Sequence, residues 1–207
     1  MKNMIKDAAI LLAITLFAGL ILGLVYQITK EPIAQAEEAA AKEAYAEVFP
    51  GALEFEMLKG TTTDDEAFTM QWREAGFERV DIVNVLEAKD NAGALLGYVL
   101  TVTSHEGYGG DITFTMGICN DGTLNGISIL SISETAGLGM KADAVLKPQF
   151  EGKKVPSFTY TKTGATSESQ IDAISGATIT TSAVTNAVNG GLYYFQSQLG
   201  GSVNEAK

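Results

Sequence analysis

From Ala8 to Thr29 the chain reads AAILLAITLFAGLILGLVYQIT without a single charged residue. At about 1.5 Å of rise per residue, a helix over this run covers the roughly 30 Å hydrocarbon core of a bilayer. The pattern therefore predicts an anchor segment, residues 1–29, that crosses the membrane once and meets lipid through residues 8–29. A cleaved signal peptide is the rival, because Lys2 and Lys6 supply a positive leading region. Its apolar core, however, runs only about 7–15 residues and ends at a small-residue cleavage site. Here the run is longer and leaves through Val25-Tyr26-Gln27-Ile28, which favours an uncleaved anchor. Lys2 and Lys6 precede the run while Glu31, Glu37 and Glu38 follow it. The excess of basic residues on the cytoplasmic side places the N-terminus in the cytoplasm and the rest of the chain outside. Gly19 and Gly23 have the G-x-x-x-G spacing that permits close packing against another membrane helix.

Beyond the anchor, Glu31 to Phe49 is rich in Ala and Glu and holds only Pro32, a proline tolerated near a helix start. This predicts a helical stalk, residues 30–60, with a stop at Pro50-Gly51. Thr61 to Asp65 (TTTDD) reads as a polar loop, after which β-branched residues take over and a domain of residues 61–207 begins. Strands are expected at Val80–Leu86, Leu95–Thr103, Asp111–Ile118 and Leu124–Ile132, separated by turn chemistry at Asp90-Asn91-Ala92-Gly93, Gly107-Tyr108-Gly109-Gly110 and Asn120-Asp121-Gly122. Met140–Phe150 reads as helix and Val155–Tyr160 as a short strand. Ser182–Leu199 reads as a last helix with Val184, Val188, Leu192, Phe195 and Leu199 on one face. Strands in a run, followed by helices, indicate an α+β fold: an antiparallel sheet with flanking helices rather than a doubly wound parallel one.

Composition narrows the chemistry. The chain has 207 residues, with 25 Asp+Glu against 14 Lys+Arg, one His and one Cys. One Cys and one His cannot make an internal disulfide, a four-ligand structural zinc site or an iron–sulfur ligand set, so no metal site is expected. The negative balance opposes nucleic-acid binding, which depends on Lys and Arg neutralising phosphates. Gly137-Leu138-Gly139-Met140-Lys141-Ala142 fits the loose form G-x-G-x-x-A. It lacks the βαβ setting and the acidic residue about 20 positions on that a dinucleotide site requires. A tight glycine loop is the simpler reading. Cys119 is expected to be a small apolar residue, His105 an exposed loop residue beside Glu106, and Trp72 a packing residue.

The informative stretch is Asp172-Ala173-Ile174-Ser175-Gly176-Ala177-Thr178-Ile179-Thr180-Thr181-Ser182, just before the last helix. Gly176 and Ala177 remove side-chain bulk, so a large group can approach the backbone. Thr178 presents a secondary hydroxyl, and Ser175, Thr180, Thr181 and Ser182 add further donors and acceptors. With Ser182 as helix cap, the free N–H groups and positive end of the dipole would favour a phosphate. On residue chemistry alone an ordinary capping loop explains the same cluster.

The pattern D-x-x-S-G-A-T-x-T resembles the covalent-flavin motif of the FMN-binding domain shared by the G subunit of the Rnf electron-transport complex and the C subunit of the sodium-pumping NADH:quinone reductase. Thr163-Gly164-Ala165-Thr166 also satisfies S/T-G-A-T, but Tyr160 stands where the longer motif has Asp172, and Glu168 where it has Thr180. Glu134-Thr135-Ala136-Gly137-Leu138-Gly139-Met140-Lys141 is similar to the family's E-T-P-G-L-G-x-K segment, with Ala136 in place of proline. Gly107-Tyr108-Gly109-Gly110 and Phe150-Glu151-Gly152-Lys153-Lys154 resemble two further family segments, and the compact length is closer to the Rnf member of the pair.

The resemblance implies an electron-transfer subunit of an ion-translocating ferredoxin:NAD⁺ oxidoreductase complex. It implies FMN joined by a phosphoester to Thr178, with Ser175, Gly176, Ala177, Thr180 and Thr181 around the phosphate. Glu134, Thr135, Gly137, Leu138, Gly139 and Lys141 would lie toward the flavin, and Asp172 would be read by the flavin transferase that installs it. Other membrane subunits of the complex would be partners, and no residue would act on a metabolite. A quinone-reductase C subunit, a stand-alone anchored flavoprotein and a non-redox scaffold module are the alternatives.

Overall fold

A computed structural model of the chain describes residues 2–58 and 66–200. The polar loop expected at Thr61–Asp65 lies outside the described residues. The chain divides into two units, one ending at Ala40 and the other beginning at Ala41. The first unit is formed by helix α1, which spans Lys2–Val48 and ends in the second unit. It is long and apolar enough to cross a membrane. Leu11, Phe17, Leu20, Leu22 and Ile28 are all exposed on it, and a continuous apolar surface of that kind marks a membrane or protein contact. Pro32 lies inside this helix, at the point where the sequence continues the anchor into the helical stalk. Its missing N–H costs one bond to the Ile28 carbonyl, which the long helix on either side tolerates.

The second unit is built on a five-stranded antiparallel meander, β1 (Glu54–Met57), β2 (Val80–Lys89), β3 (Leu95–Ser104), β4 (Ile112–Cys119) and β5 (Leu124–Ile132), in that spatial order. Period-two alternation assigns the faces. Leu100, Val102, Phe114, Met116 and Ile118 point to one core, shared with Val184, Ala187, Val188 and Leu192 of α5 (Thr178–Gln198). The opposite face holds a smaller cluster, Leu86, Ala88 and Val99 with Val48, Phe49 and Ala52. The Phe49 ring fits there because Gly97 and Gly117 carry no side chain. A Cβ would stand 2.7 Å from the ring at Gly97 and 3.0 Å from it at Gly117. The end of α1 is held by polar contacts as well. Asn125 Nδ2 donates to the Val48 carbonyl at 3.1 Å, Ser128 Oγ donates to Glu47 Oε2, and Lys147 Nζ reaches Glu47 Oε1 at 2.5 Å.

The expected α+β class and four central strands are present, and several elements differ in detail. Strand β1 and helix α2 (Glu66–Glu74) have no counterpart in the sequence reading. The short strand Glu-Phe-Glu-Met is ordered by pairing with β2, including Lys89 with Glu56 at 2.7 Å. Trp72 of α2 packs against Phe77 and Tyr193 and donates from Nε1 to the Val80 carbonyl at 3.0 Å. The helix expected at Met140–Phe150 is split into a 3₁₀ turn (Gly139–Lys141), α3 (Ala142–Val145) and α4 (Lys147–Phe150). Pro148 cannot donate to the Ala144 carbonyl, so the helix is interrupted there. The strand expected at Val155–Tyr160 is reduced to β6 (Thr159–Thr161), since Pro156 offers no ladder N–H. Strand β6 pairs in parallel with β7 (Gln170–Asp172).

Helix α5 begins at Thr178, four residues before the expected Ser182 cap, with Ala177 in the cap position. Side-chain bonds hold the β-branched first turn in place of a serine cap. Thr181 Oγ1 donates to the Ala177 carbonyl at 2.9 Å and accepts from the Ile174 N–H at 3.1 Å.

Candidate functional site

Three segments meet at the start of α5. The first is the β3–β4 hairpin loop, whose tip carries Tyr108, 71% exposed. The second leaves β5 at Glu134 and folds back on itself, with the N–H groups of Leu138 and Met140 both directed to the Thr135 carbonyl, at 3.1 and 3.3 Å. The third is the turn Ile174–Ala177, closed by the Ala177 N–H to the Ile174 carbonyl at 3.0 Å. Gly176 in this turn has φ +79°, a conformation that side-chain-bearing residues rarely adopt.

Glu134, in the second segment, ties the first to helix α5. The residue is only 9% exposed. Oε2 accepts from Thr180 Oγ1 at 2.9 Å, and Oε1 accepts from the Gly109 N–H at 3.2 Å. Gly139 makes room for this junction, because a Cβ there would stand 2.6 Å from Thr180 Oγ1 and 2.7 Å from Glu134 Cβ. Between the segments lies a cavity of about 540 Å³ lined by Tyr108, Glu134, Thr135, Leu138, Gly139 and Gly176–Thr180. Thr178, the first helical residue, is half-buried on its wall. Among the described residues its hydroxyl makes no hydrogen bond, whereas the hydroxyls of Thr180, Thr181 and Thr185 all do. The N–H groups of Thr178, Ile179 and Thr180 belong to the first turn and lack intrahelical acceptors.

Of the residues singled out from sequence, the cavity brings together Glu134, Thr135, Leu138, Gly139, Gly176, Ala177, Thr178 and Thr180. Ser175 is exposed and Thr181 fully buried as a brace of the turn; neither lines it. Gly137 (φ +78°) shapes the Thr135–Gly139 turn, and Lys141 is exposed beside it. Asp172 lies on β7, where its Oδ1 accepts the Ala165 N–H at 2.7 Å. Thr166 of the second S/T-G-A-T copy is bonded to Gln170 Oε1 at 2.9 Å and is not on the cavity wall. Tyr108 and Ile179 line the cavity without having been assigned to it from sequence. Their signals were an aromatic inside a glycine run and a large apolar residue inside a polar motif.

The base of the Tyr108 hairpin is pinned by His105, which is not the simple exposed loop residue expected. Its Nε2 lies 3.0 Å from Asp81 Oδ2 and its Nδ1 2.8 Å from Asp111 Oδ1. The Asp81 carboxylate first, and that of Asp111 with it, raise the imidazole pKa above its ordinary value against a small opposing effect of burial. Cys119 lies off the cavity and donates to Asn125 Oδ1 at 3.1 Å; burial pushes its thiol pKa up.

Residues 107–193 match the FMN-binding domain family, and residues 1–48 match the RnfG N-terminal region. The chain is 33% identical to the G subunit of the Na⁺-translocating ferredoxin:NAD⁺ oxidoreductase complex of Acetobacterium woodii, over 95% of this chain and 93% of that one. It is 30% identical to the G subunit of the ion-translocating oxidoreductase complex of Methanosarcina acetivorans, over 96% and 98%. The chain belongs to the RnfG family. Among solved structures, this RnfG-family chain is similar to NqrC of Shewanella oneidensis, with a TM-score of 0.49 and 19% identity over 74% of this chain and 85% of that one.

The RnfG-family cavity has the features that an FMN site needs. Its volume falls in the range of about 300–1,000 Å³ usual for cofactor pockets. Tyr108, Leu138 and Ile179 give apolar walls, and Glu134, Thr135 and Thr180 give polar groups. A helix N-terminus with free N–H groups suits a phosphate.

Proposed function

We propose that this chain is a membrane-held redox subunit carrying FMN esterified through its phosphate to Thr178. The observation that supports the reading best is the state of that threonine: first residue of α5, on the cavity wall, with a hydroxyl bonded to no described residue. Gly176 and Ala177 leave the backbone before it open to a bulky group. In forming the ester, Thr178 Oγ bonds the phosphorus of a flavin donor whose phosphoanhydride P–O bond breaks, the displaced phosphate group leaves with the Thr178 proton, and the chain gains the mass of FMN less water. The diester keeps one negative charge, which the first-turn N–H groups and the helix dipole stabilise. The cavity between Tyr108, Leu138 and Glu134 then receives the ring system. Bound there, FMN supplies the electron-accepting chemistry, and the chain's residues position it and exclude water.

The charges flanking the anchor support an orientation. With Lys2 and Lys6 on the cytoplasmic side, the FMN domain faces the extracytoplasmic space and exchanges electrons with cofactors of neighbouring membrane subunits in an Rnf-type complex. A flavin transferase is the maturation partner. No side chain at the site is assigned chemistry toward a metabolite, so this chain's part in the oxidoreductase activity of the complex is carriage of electrons.

Co-expression of the full chain with a flavin transferase tests the reading. Intact mass should rise by FMN minus water, and peptide mapping across residues 163–182 should place the gain on Thr178. Thr178→Val should abolish it with the fold retained. Covalent flavin on Thr178→Val, or none on the native chain while a known substrate of the same transferase is labelled, would overturn the assignment.

A further inference from the structure

Glu134 is the one buried carboxylate among the described residues lining the cavity, and its two oxygens are committed to two different walls. The donors are a hydroxyl in the first turn of α5 and a backbone N–H at the tip of the β3–β4 hairpin. Thr180 Oγ1 and the Gly109 N–H each stand within hydrogen-bond reach of one of the two Glu134 side-chain oxygens. Among the described residues no Lys or Arg side chain lines the cavity, so the compensation at Glu134 comes from dipoles and not from a counter-charge.

We propose that Glu134 is a positioning residue that also holds the potential of the bound flavin low. The inference rests on the FMN reading above. Two-electron reduction with uptake of one proton leaves the ring system one unit more negative than before. That added charge meets a fixed carboxylate in a wall of low dielectric, where charges interact far more strongly than in water. The reduced form is destabilised relative to the oxidised form, and the couple becomes a stronger reductant. Charge near a bound flavin is one of the means by which a protein tunes its electronics. The same carboxylate fixes the hairpin to the helix, so the spacing of the cavity walls and the potential are set by one side chain.

Two substitutions separate charge from position. Glu134→Gln keeps the shape and both contacts: Oε1 accepts from the Gly109 N–H, and Nε2 donates to Thr180 Oγ1, whose own proton rotates away. Only the charge is lost. Thr180→Val keeps the carboxylate and removes the hydroxyl that shares its charge.

The experiment is an equilibrium redox titration of the full-length flavinylated protein in detergent, followed by flavin absorbance with a chemical reductant and a reference dye. Covalent FMN content is read separately by intact mass. Glu134→Gln should favour the reduced flavin by about tenfold, a positive shift of about 30 mV for a two-electron couple. Thr180→Val should shift the potential the opposite way, and it decides the case if Glu134→Gln does not fold. Unchanged potentials in flavinylated variants, or shifts of the same sign in both, overturn the role of Glu134 and leave the FMN reading intact. Absence of covalent FMN from the native chain overturns the FMN reading and the proposal with it.

Discussion

The Ala165 N–H donates to Asp172 Oδ1 at 2.7 Å, so the loop of the second S/T-G-A-T copy is tied to the first residue of the longer motif. Gln149 clasps the same residue from α4, its Oε1 accepting the Asp172 N–H at 2.6 Å and its Nε2 donating to the Asp172 carbonyl at 3.1 Å. Asp172 is thus part of the scaffold that places Ser175–Thr178. Asp172→Ala should free the 163–166 loop at a cost of about 1 kcal/mol, the usual value of one such hydrogen bond. Faster limited proteolysis between residues 161 and 170 would register it, and native cleavage rates would refute it.

Thr166→Val should leave covalent flavin at the native level. Its hydroxyl is spent on Gln170 and the residue is off the cavity wall. Flavin fluorescence of the denatured protein in a gel reads this directly, and a loss of signal would reassign the attachment site.

Gly139→Ala should destabilise the fold by about 1–3 kcal/mol, the range for overpacking a filled site. The added methyl would press on Thr180 Oγ1 and on Glu134 at once. A lowered denaturant midpoint, with parallel loss of cavity occupancy by FMN, is the expected result.

His105 between its two aspartates gives a pH dependence of defined sign. Asp81 and Asp111 raise the His105 pKa in the folded chain, so its contribution is complete below the unfolded value of about 6.5 and disappears as pH rises through the raised one. His105→Gln should therefore lower the melting temperature at pH 6 and have little effect at pH 9. As the sole histidine, its ring resonances also report the titration without overlap.

Glu47 works in the opposite direction. The Lys147 ammonium chiefly, and Ser128 next, hold its carboxyl pKa below the ordinary value. Its contribution is present above the unfolded carboxylate pKa and is lost as pH falls through the lowered one. Lys147→Met should narrow the difference in melting temperature between pH 7 and pH 3. An unaltered pH profile would show that solvent screens the pair completely.

The central sheet and the motif were legible because each has a local cause. Period-two runs such as Ile112, Phe114, Met116 and Ile118 declare a strand face, and turn residues separate the strands. Thr178 stood out through a short spacing of small and hydroxyl residues. Strand β1 was hidden because its Glu-Phe-Glu-Met is ordered by a neighbouring strand distant in sequence. The start of α5 was misplaced because Ser182 is the better cap by type, whereas Thr181 braces the preceding turn and Glu134, distant in sequence, holds Thr180 in the first helical turn. Tyr108 lines the cavity beside Gly109, whose N–H is held by Glu134, a link between distant segments that no periodicity displays.

The lodging of Val48 and Phe49 on the underside of the sheet sets where the polypeptide can be shortened. Cutting at residue 61 to remove the membrane anchor would also strip β1, uncover Gly97 and Gly117 and leave Asn125 Nδ2 without the Val48 carbonyl. A water-soluble fragment should begin at Ala41, where the second unit begins, so that the last helical turns travel with the domain they complete.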